Sequence, residues 1–444
     1  MINRNDFPKN FVWGAATSSF QIEGATTTDG RGPSIWDTFA ATPGKTRNGD
    51  TGEPGCDHYN RYKGDLDLMK ELNLEAYRFS TAWSRVLPTG RGRVNEKGMG
   101  FYERLVDGLL TRGITPWLTL YHWDLPQALE DTGGWAARDT VHAFEEYAHV
   151  MSERLGDRVK HWITHNEPWC TAYLGYQVGH FAPGISDLKK GIQASHHLLL
   201  SHGLSVPIIR ENVADAKVGI TLNLWPVHGL TDSSEDQAVA RRLDGFSNRW
   251  YLDPLYGHGY PTDSLAILGE FAPDVQAGDL NKIAVETDFI GVNYYMRNLV
   301  KHNPAADNGF EFVKSNLERT DLDWEIYPAG LTELAVRLGT DYQAKEIYIT
   351  ENGSCYDDTM VEGQVNDEKR RKYLELHLEA SSEAVKQGAP LQGYFAWSLM
   401  DNFEWAEGYS RRFGIVHVDF ETQVRTIKSS GKFYQQFLQG GVLD

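Results

Sequence analysis

The sequence predicts an α/β protein built as one closed (β/α)8 TIM barrel, a single domain over residues 1–444. Three observations carry that expectation. Eight short runs rich in aromatic and β-branched residues succeed one another along the chain. Helical stretches and loops of a dozen or more residues separate them, as parallel neighbours joined by crossovers require. The Gly-rich phosphate turn that an open doubly wound sheet carries after its first strand is missing.

The runs, in order, are FVWGAATSSFQ ending at Gln21, EAYRFS at Ser80, TPWLTLYHW at Trp123 and VKHWITHNE at Glu167. KVGITLNLW to Trp225, DFIGVNYY to Tyr295, KEIYITE to Glu351 and GYFAWSL to Leu399 complete the set. Among the helices, DTVHAFEEYAHVMSERLG repeats Val141, Phe144, Ala148, Met151 and Leu155 at three- and four-residue steps, one buried stripe. Asp139 is its expected N-cap and Gly156 its stop. DEKRRKYLELHLEASSEAVKQG follows the same design and ends at Gly388, while SSEDQAVARRLDGFSNRW and AGLTELAVRLG add two more. In LLLSHGLSVPIIREN, Pro207 is expected to kink or break the helix. The polar stretch Lys301 to Thr320 reads as a long surface loop.

Composition narrows the partners. Forty-three basic residues stand against 61 acidic ones, a formal net charge of −18. That balance disfavours nucleic acid and anionic lipid, which need clustered Lys and Arg. No run of ~18 apolar residues could cross a bilayer, and the start MINRNDFPKN is polar, without a secretory core. Cys56, Cys170 and Cys355 are too few and scattered for a disulfide framework or zinc cluster. A cytoplasmic protein with reduced thiols is expected, and homo-oligomerisation is left open. Most of the 13 Trp, 21 Tyr and 19 Phe are expected in the core, but so many indoles also suit a pocket for flat, weakly polar ligands.

In a barrel, the functional site lies where the strands end. The ends present Gln21, then Arg78, His122 with Trp123, Asn166 with Glu167, Asn223, Asn293 with Tyr295, Glu351 and Trp397. A ring of polar, charged and indole side chains facing one cavity is more than solvation alone produces. Two glutamates and one arginine in that ring suggest a division of labour. Cleaving a glycosidic bond needs a proton for the leaving oxygen and a carboxylate at the anomeric carbon; in the retaining version the two carboxyls stand about 5.5 Å apart. Such a pair repels by roughly 3 kcal/mol at an effective dielectric of 20, or about two pKa units. Arg78 beside Glu351 makes Glu351 the anion and nucleophile and Glu167 the acid. A structural ion pair is the competing reading of Arg78.

These residues resemble the retaining β-glucosidases of glycoside hydrolase family 1. THNEP at 164–168 is similar to the family's acid/base motif and ITENG at 349–353 to its nucleophile motif. FVWGAATSSFQIEGA at 11–25, YHWDLP at 121–126, NYY at 293–295 and EWAEGYSRRFGIVHVD at 404–419 extend the likeness over nearly the whole chain. The resemblance implies a single (β/α)8 barrel, no cofactor, no metal and retention of β configuration. It implies further that Gln21, His122, Asn166, Glu404 and Trp405 hold glycone hydroxyls, with Trp123 also on the substrate side and Trp397 as the floor under the ring. Tyr295 would hydrogen-bond Glu351, and Asn293 and Asn223 would support the reacting centre. Trp169 and Trp324 are candidates for the mouth where the aglycone leaves.

The expected activity is exo-hydrolysis of terminal non-reducing β-glucosyl residues from oligosaccharides and aryl or alkyl glucosides through a covalent glycosyl-enzyme intermediate, with β-galactosides and β-fucosides also accepted. The expected partner is a small β-glycoside such as cellobiose, in carbohydrate metabolism or cellulose degradation. A 6-phospho-β-glucosidase and a non-catalytic sugar-binding barrel are the alternatives. An anionic Glu404 would repel a phosphate, and Arg411 and Arg412, flanking an acidic loop, read as solvated. Two positions depart from the family pattern. Ser354 replaces an apolar residue and is expected to touch at most the aglycone side, while His165 is expected to point away from the cavity as packing. His196, His197 and His202 share a helical stretch without a carboxylate at metal-binding spacing. Cys170 and Cys355 follow the two glutamates closely, with nothing nearby that requires a thiolate.

Overall fold

Eight parallel strands close into a barrel in the computed structural model, which describes residues 2–440. The expected domain span reaches Met1 and residues 441–444, which lie outside the described residues. The strands are β1 (Val12–Ala16), β2 (Ala76–Ser80), β3 (Thr115–Tyr121), β4 (His161–Asn166), β5 (Lys217–Asn223), β6 (Phe289–Asn293), β7 (Ile347–Asn352) and β8 (Leu391–Trp397). Each pairs with its sequence neighbours, and β1 closes on β8. All eight sequence runs therefore hold a barrel strand.

Helices return the chain outside the barrel: α1 (His58–Glu71), α2 (Glu96–Thr111), α3 (Asp139–Leu155), α4 (Leu188–Asn212), α5 (Ser234–Asp244), α6 (Ala329–Asp341), α7 (Glu368–Lys386) and α8 (Ser429–Leu438). The stripe of α3 is buried at every position read from the sequence, from Val141 to Leu155. Its first residue differs from expectation. Asp139 is helical, where its charge faces the unpaired N–H groups of the first turn, and Arg138 holds the cap position.

Pro207 does not break α4, which runs unbroken from Leu188 to Asn212. A helix-interior proline costs about 3 kcal/mol. Leu198, Leu199, Leu200, Val206 and Ile209 are fully buried around it, each stabilising by about 1.5–3 kcal/mol, so packing wins. The stretch Lys301 to Thr320 is likewise not all loop. Asn298–His302 pairs antiparallel with Phe310–Phe312 and parallel with Val227–Gly229 in a small outer sheet.

Side chains fill the barrel's lower interior. Trp117 packs its ring 4.7 Å from Tyr348, 5.2 Å from Phe395 and 5.3 Å from Phe289. With that end plugged, the barrel's cavity opens where the strands terminate. Two irregularities sit at that rim. The β4–β5 register shifts between Ile163 and Asn166, and β7 shifts against both β6 and β8 after Ile349. Bulges re-aim side chains next to active sites, and these two immediately precede Glu167 and Glu351.

Candidate active site

A cavity of about 410 Å³ opens at the C-terminal ends of the strands, walled by Glu167, Glu351 and Glu404 together with indole and phenyl rings. Of the residues expected there, His122, Trp123, Asn223, Asn293, Tyr295, Trp324, Trp397 and Trp405 also reach its wall. Gln21, Arg78 and Asn166 do not; they lie in the polar layer behind it.

Glu351 is held at both oxygens. Arg78 Nη1 donates to Oε1 at 2.6 Å and the Tyr295 hydroxyl donates to Oε2 at 2.7 Å. Arg78 is itself fixed by the Thr350 carbonyl at 3.0 Å and by the Asn166 side-chain oxygen. Glu167 meets only neutral donors. Asn293 Nδ2 donates to Oε1 at 2.7 Å, and the Cys170 thiol donates to Oε2 at 3.1 Å. The asymmetry separates the pair. Burial, and next the charge of Glu351, push Glu167 from 4.5 up to about 8. Burial also raises Glu351, but Arg78, Tyr295 and Asn293 oppose it, so Glu351 is the group that ionises first.

Glu167 follows β4 in a left-handed backbone conformation, φ 47°, and Trp123 after β3 does the same at 78°. Such conformations are uncommon outside glycine and concentrate at functional sites. At β7 the residue after the ENG asparagine has to be glycine. A Cβ on Gly353 would stand 1.7 Å from the Trp397 carbonyl oxygen, so the ends of β7 and β8 meet only because that atom is missing.

One expected placement needs correction. Gln21 lies not on a strand but on the helical turn Ser19–Ile22, where its amide donates to Asn402 at 2.9 Å and to the Phe403 carbonyl at 2.8 Å. It holds the loop that presents Glu404. The side-chain oxygen of Asn166 accepts from Arg78 and Asn293, and its amide meets His122 Nε2 at 3.1 Å, so it serves the scaffold in this structure. The Trp123 N–H is likewise spent on the Asn166 carbonyl at 3.0 Å. Asn223 Nδ2 lies 3.7 Å from the Cys170 sulfur. Trp397 stacks on His122 at 5.9 Å, and Trp324 lies 5.2 Å from the Tyr295 ring.

Three buried polar atoms of wall residues have no protein partner, His122 Nδ1, Trp225 Nε1 and Glu404 Oε2. Burial holds His122 neutral, well below its usual pKa. With Nε2 accepting from Asn166, Nδ1 carries the proton and offers a donor to the cavity. Glu404 is pushed up to about 8 by burial, then by Glu351 and Glu167. That shift runs against the anion expected there, because carboxyls that share one cavity oppose one another's ionisation. Unsatisfied buried polar groups on cavity-lining residues mark where a polyhydroxylated ligand would bond.

The flanking arginines are paired rather than solvated. Arg411 meets Glu407 at 3.2 Å, and Arg412 meets Asp401 at 2.6 Å and the Val418 carbonyl at 2.9 Å. Ser354 is fully buried, its carbonyl accepts from Arg370 at 3.0 Å, and it is not among the residues lining the cavity. His165 packs against Phe144, ring centroids 4.4 Å apart, and meets Ser201 at 2.8 Å. His196 lies between Asp279 and Tyr260. Sequence reading gave Cys170 no role at the site; its signal was position, one helical turn beyond Glu167.

A plugged parallel barrel whose mouth holds an ion-paired carboxyl beside a second one whose pKa is pushed up fits the carboxyl pair of the glycoside hydrolases. Comparison with known proteins gives the family. The profile described as "Glycosyl hydrolase family 1" matches residues 3–441, and the chain belongs to that family. It is 46% identical to "Beta-glucosidase A" of Thermotoga maritima over 445 residues, covering 100% of both chains. It is 42% identical to the "Bifunctional beta-D-glucosidase/beta-D-fucosidase" of Bifidobacterium breve, covering 97% of this chain and 98% of that one. A solved T. maritima family 1 glycoside hydrolase, complexed with a cyclophellitol analogue transition state mimic, superposes with a TM-score of 0.96 at 46% identity over 99% of each chain.

Proposed function

We propose that the protein is a retaining exo-β-glucosidase, the whole chain acting as one catalytic unit. Glu351, anionic beside Arg78, attacks the anomeric carbon while Glu167 gives its proton to the departing glycosidic oxygen. The carbon–oxygen bond to the aglycone breaks and a glycosyl ester forms on Glu351. Water then gives a proton to Glu167 and attacks the same carbon, releasing the sugar with its β configuration. The single observation that carries this reading is the contrast between the Arg78 and Tyr295 contacts of Glu351 and the neutral Asn293 and Cys170 contacts of Glu167.

His122 and Glu404, each with an unpartnered atom, are the groups we assign to glycone hydroxyls, with Trp405 beside them and Trp397 beneath the ring. The relatives' names support glucosides first, and fucosides through the bifunctional B. breve enzyme. Galactosides and cellobiose follow as substrates to test, with cellulose breakdown products as the source. Against phosphorylated sugars stands the lining itself: among the described residues no Lys or Arg reaches the cavity wall, and Arg411 and Arg412 are paired. Both catalytic carboxyls are present, which disfavours a non-catalytic barrel. No described helix is long and apolar enough to cross a membrane; three free, buried cysteines favour the reducing cytoplasm.

The test is hydrolysis of 4-nitrophenyl β-glucoside beside its 6-phosphate. Glu351→Gly abolishes turnover, and added azide then gives the α-glucosyl azide. Near-wild-type hydrolysis by that variant without azide would overturn the assignment of the nucleophile.

A further inference from the structure

Residues 401–404 belong to no helix or strand, yet they set where Glu404 stands. From one side Gln21 holds Asn402 and Phe403 through its amide. On the other side lies a cluster of ionised groups that the mechanism does not use, Asp358, Asp367 and Asp401 against Arg370, Arg412 and Lys428. Their side chains are almost completely buried, except that of Arg412, which is 21% exposed. Asp401, close before Glu404 in the chain, is the hub. Lys428 Nζ donates to its Oδ1 at 2.6 Å and Arg412 Nη1 to its Oδ2 at 2.6 Å, while the Gly414 N–H adds a bond to Oδ1 at 3.0 Å. Lys428 also meets Asp358, in the loop after β7. Arg370 meets Asp358 at 2.8 Å and Asp367 at 2.5 Å.

We propose that Lys428 is a positioning residue for glycone recognition: through Asp401 it fixes the loop that carries Glu404 to the cavity wall. The inference deepens the glucosidase reading, on which it rests for the role of Glu404. Burial pushes the Asp401 carboxyl up, but Lys428 and then Arg412 overcome it and hold it below its usual range, so Asp401 is the anionic end of these bonds. Stability alone does not account for the cluster, because apolar side chains of like volume often match or exceed buried ion pairs in stability. What the ions provide is direction, since each charge-assisted bond runs to one particular oxygen. The same cluster reaches the strand of the nucleophile. Arg370 Nε donates to the Ser354 carbonyl at 3.0 Å and Nη2 to the Arg412 carbonyl at 2.7 Å, which ties the loop after Glu351 to the loop after Glu404. A displacement of about 1 Å in groups that position a substrate can cost about 10²-fold in rate. A loop without regular structure therefore has to be held at such points.

A double-mutant cycle tests the proposal, read by calorimetric binding of 4-nitrophenyl 1-thio-β-D-glucoside so that no turnover is required. Lys428→Met removes the ammonium and leaves Asp401 short of a partner. Lys428→Met combined with Asp358→Asn removes one charge of each sign, so that the cluster stays balanced where the single variant fails to fold. Either change weakens binding by about tenfold or more in the otherwise native chain. In a Glu404→Ala background, with no Glu404 carboxyl left to position, the same change costs less than about twofold. Lys428→Arg, which keeps a cation, restores most of the affinity. Equal losses with and without Glu404, or native affinity in the charge-balanced variant, would overturn the proposal. Loss of the fold in both Met variants would assign the cluster to stability alone and overturn it equally. If the cycle behaves as expected while the native protein does not hydrolyse 4-nitrophenyl β-glucoside, the glucosidase reading falls and the positioning role stands.

Discussion

Glu167 and Glu351 have the same side chain and opposite assignments, and the difference is made by four neighbouring atoms. A cation and a phenol on Glu351 stabilise its anion; an amide and a thiol on Glu167 do so less. The activity profile against pH follows. As pH rises through about 8, Glu167 loses the proton it must donate, so kcat/KM falls on that side; the acidic limb reports protonation of Glu351. Replacing Glu167 by Gln costs about 10²–10⁴-fold in kcat on poor leaving groups and removes the basic limb. Cys170→Ala withdraws a donor that favours the Glu167 anion, so the basic limb moves to higher pH, by roughly half a unit given how weak an S–H donor is. Cys170→Ser keeps a donor there and holds the limb near its original place. A basic limb that moves down in the Ala variant would contradict the contact.

At the scale of elements, the sequence is most legible where the signal is local. Alternating aromatic and β-branched runs mark all eight strands, and the three- and four-residue stripe of α3 is buried as its spacing requires. The bulges before Glu167 and Glu351 were not legible, because a bulge is a mismatch between two strands distant in sequence. The uninterrupted α4 is a similar case: local propensity opposes Pro207, and burial contributed by other elements overrides it. Gly353 belongs to both levels. Its identity is visible in ENG, but its reason, the Trp397 carbonyl from another strand, is not. Gly353→Ala forces β7 and β8 apart at their ends, and a strain of roughly 1–3 kcal/mol lowers Tm by several degrees in a thermal melt. It also lowers kcat, because Glu351 and Trp397 are carried on those two ends. A variant with unchanged Tm and kcat would mean the two strands accommodate the methyl freely.

The whole molecule holds its site against its own electrostatics. Glu167 and Glu404 both titrate near 8 when folded, against 4.5 for the unperturbed carboxyl. Between those values the folded state binds more protons than the unfolded state, so these groups subtract stability as pH rises from about 4.5 to 8 and carry no penalty below that window. Glu404→Gln removes one such group. Its Tm therefore exceeds that of the wild type by more at pH 8 than at pH 5, while affinity for the glycone falls because a hydroxyl partner is altered. A Tm difference independent of pH would show that Glu404 is ionised throughout. Stability given up at a functional site in exchange for activity is a common feature of enzymes.

By itself, the sequence determined the barrel, the ring of polar and indole residues at its rim, and the pairing of Arg78 with Glu351. Strand periodicity and the identity of strand-end residues are local properties that survive without coordinates. The tertiary structure decided which of those residues reach the cavity: Trp123 lines its wall, while Asn166 and Gln21 stand behind it. It also decided that burial and two neighbouring carboxyls raise Glu404 to about 8. Charge state and cavity shape depend on burial and strand register, which are set by contacts between segments hundreds of residues apart, such as Gln21 with Phe403.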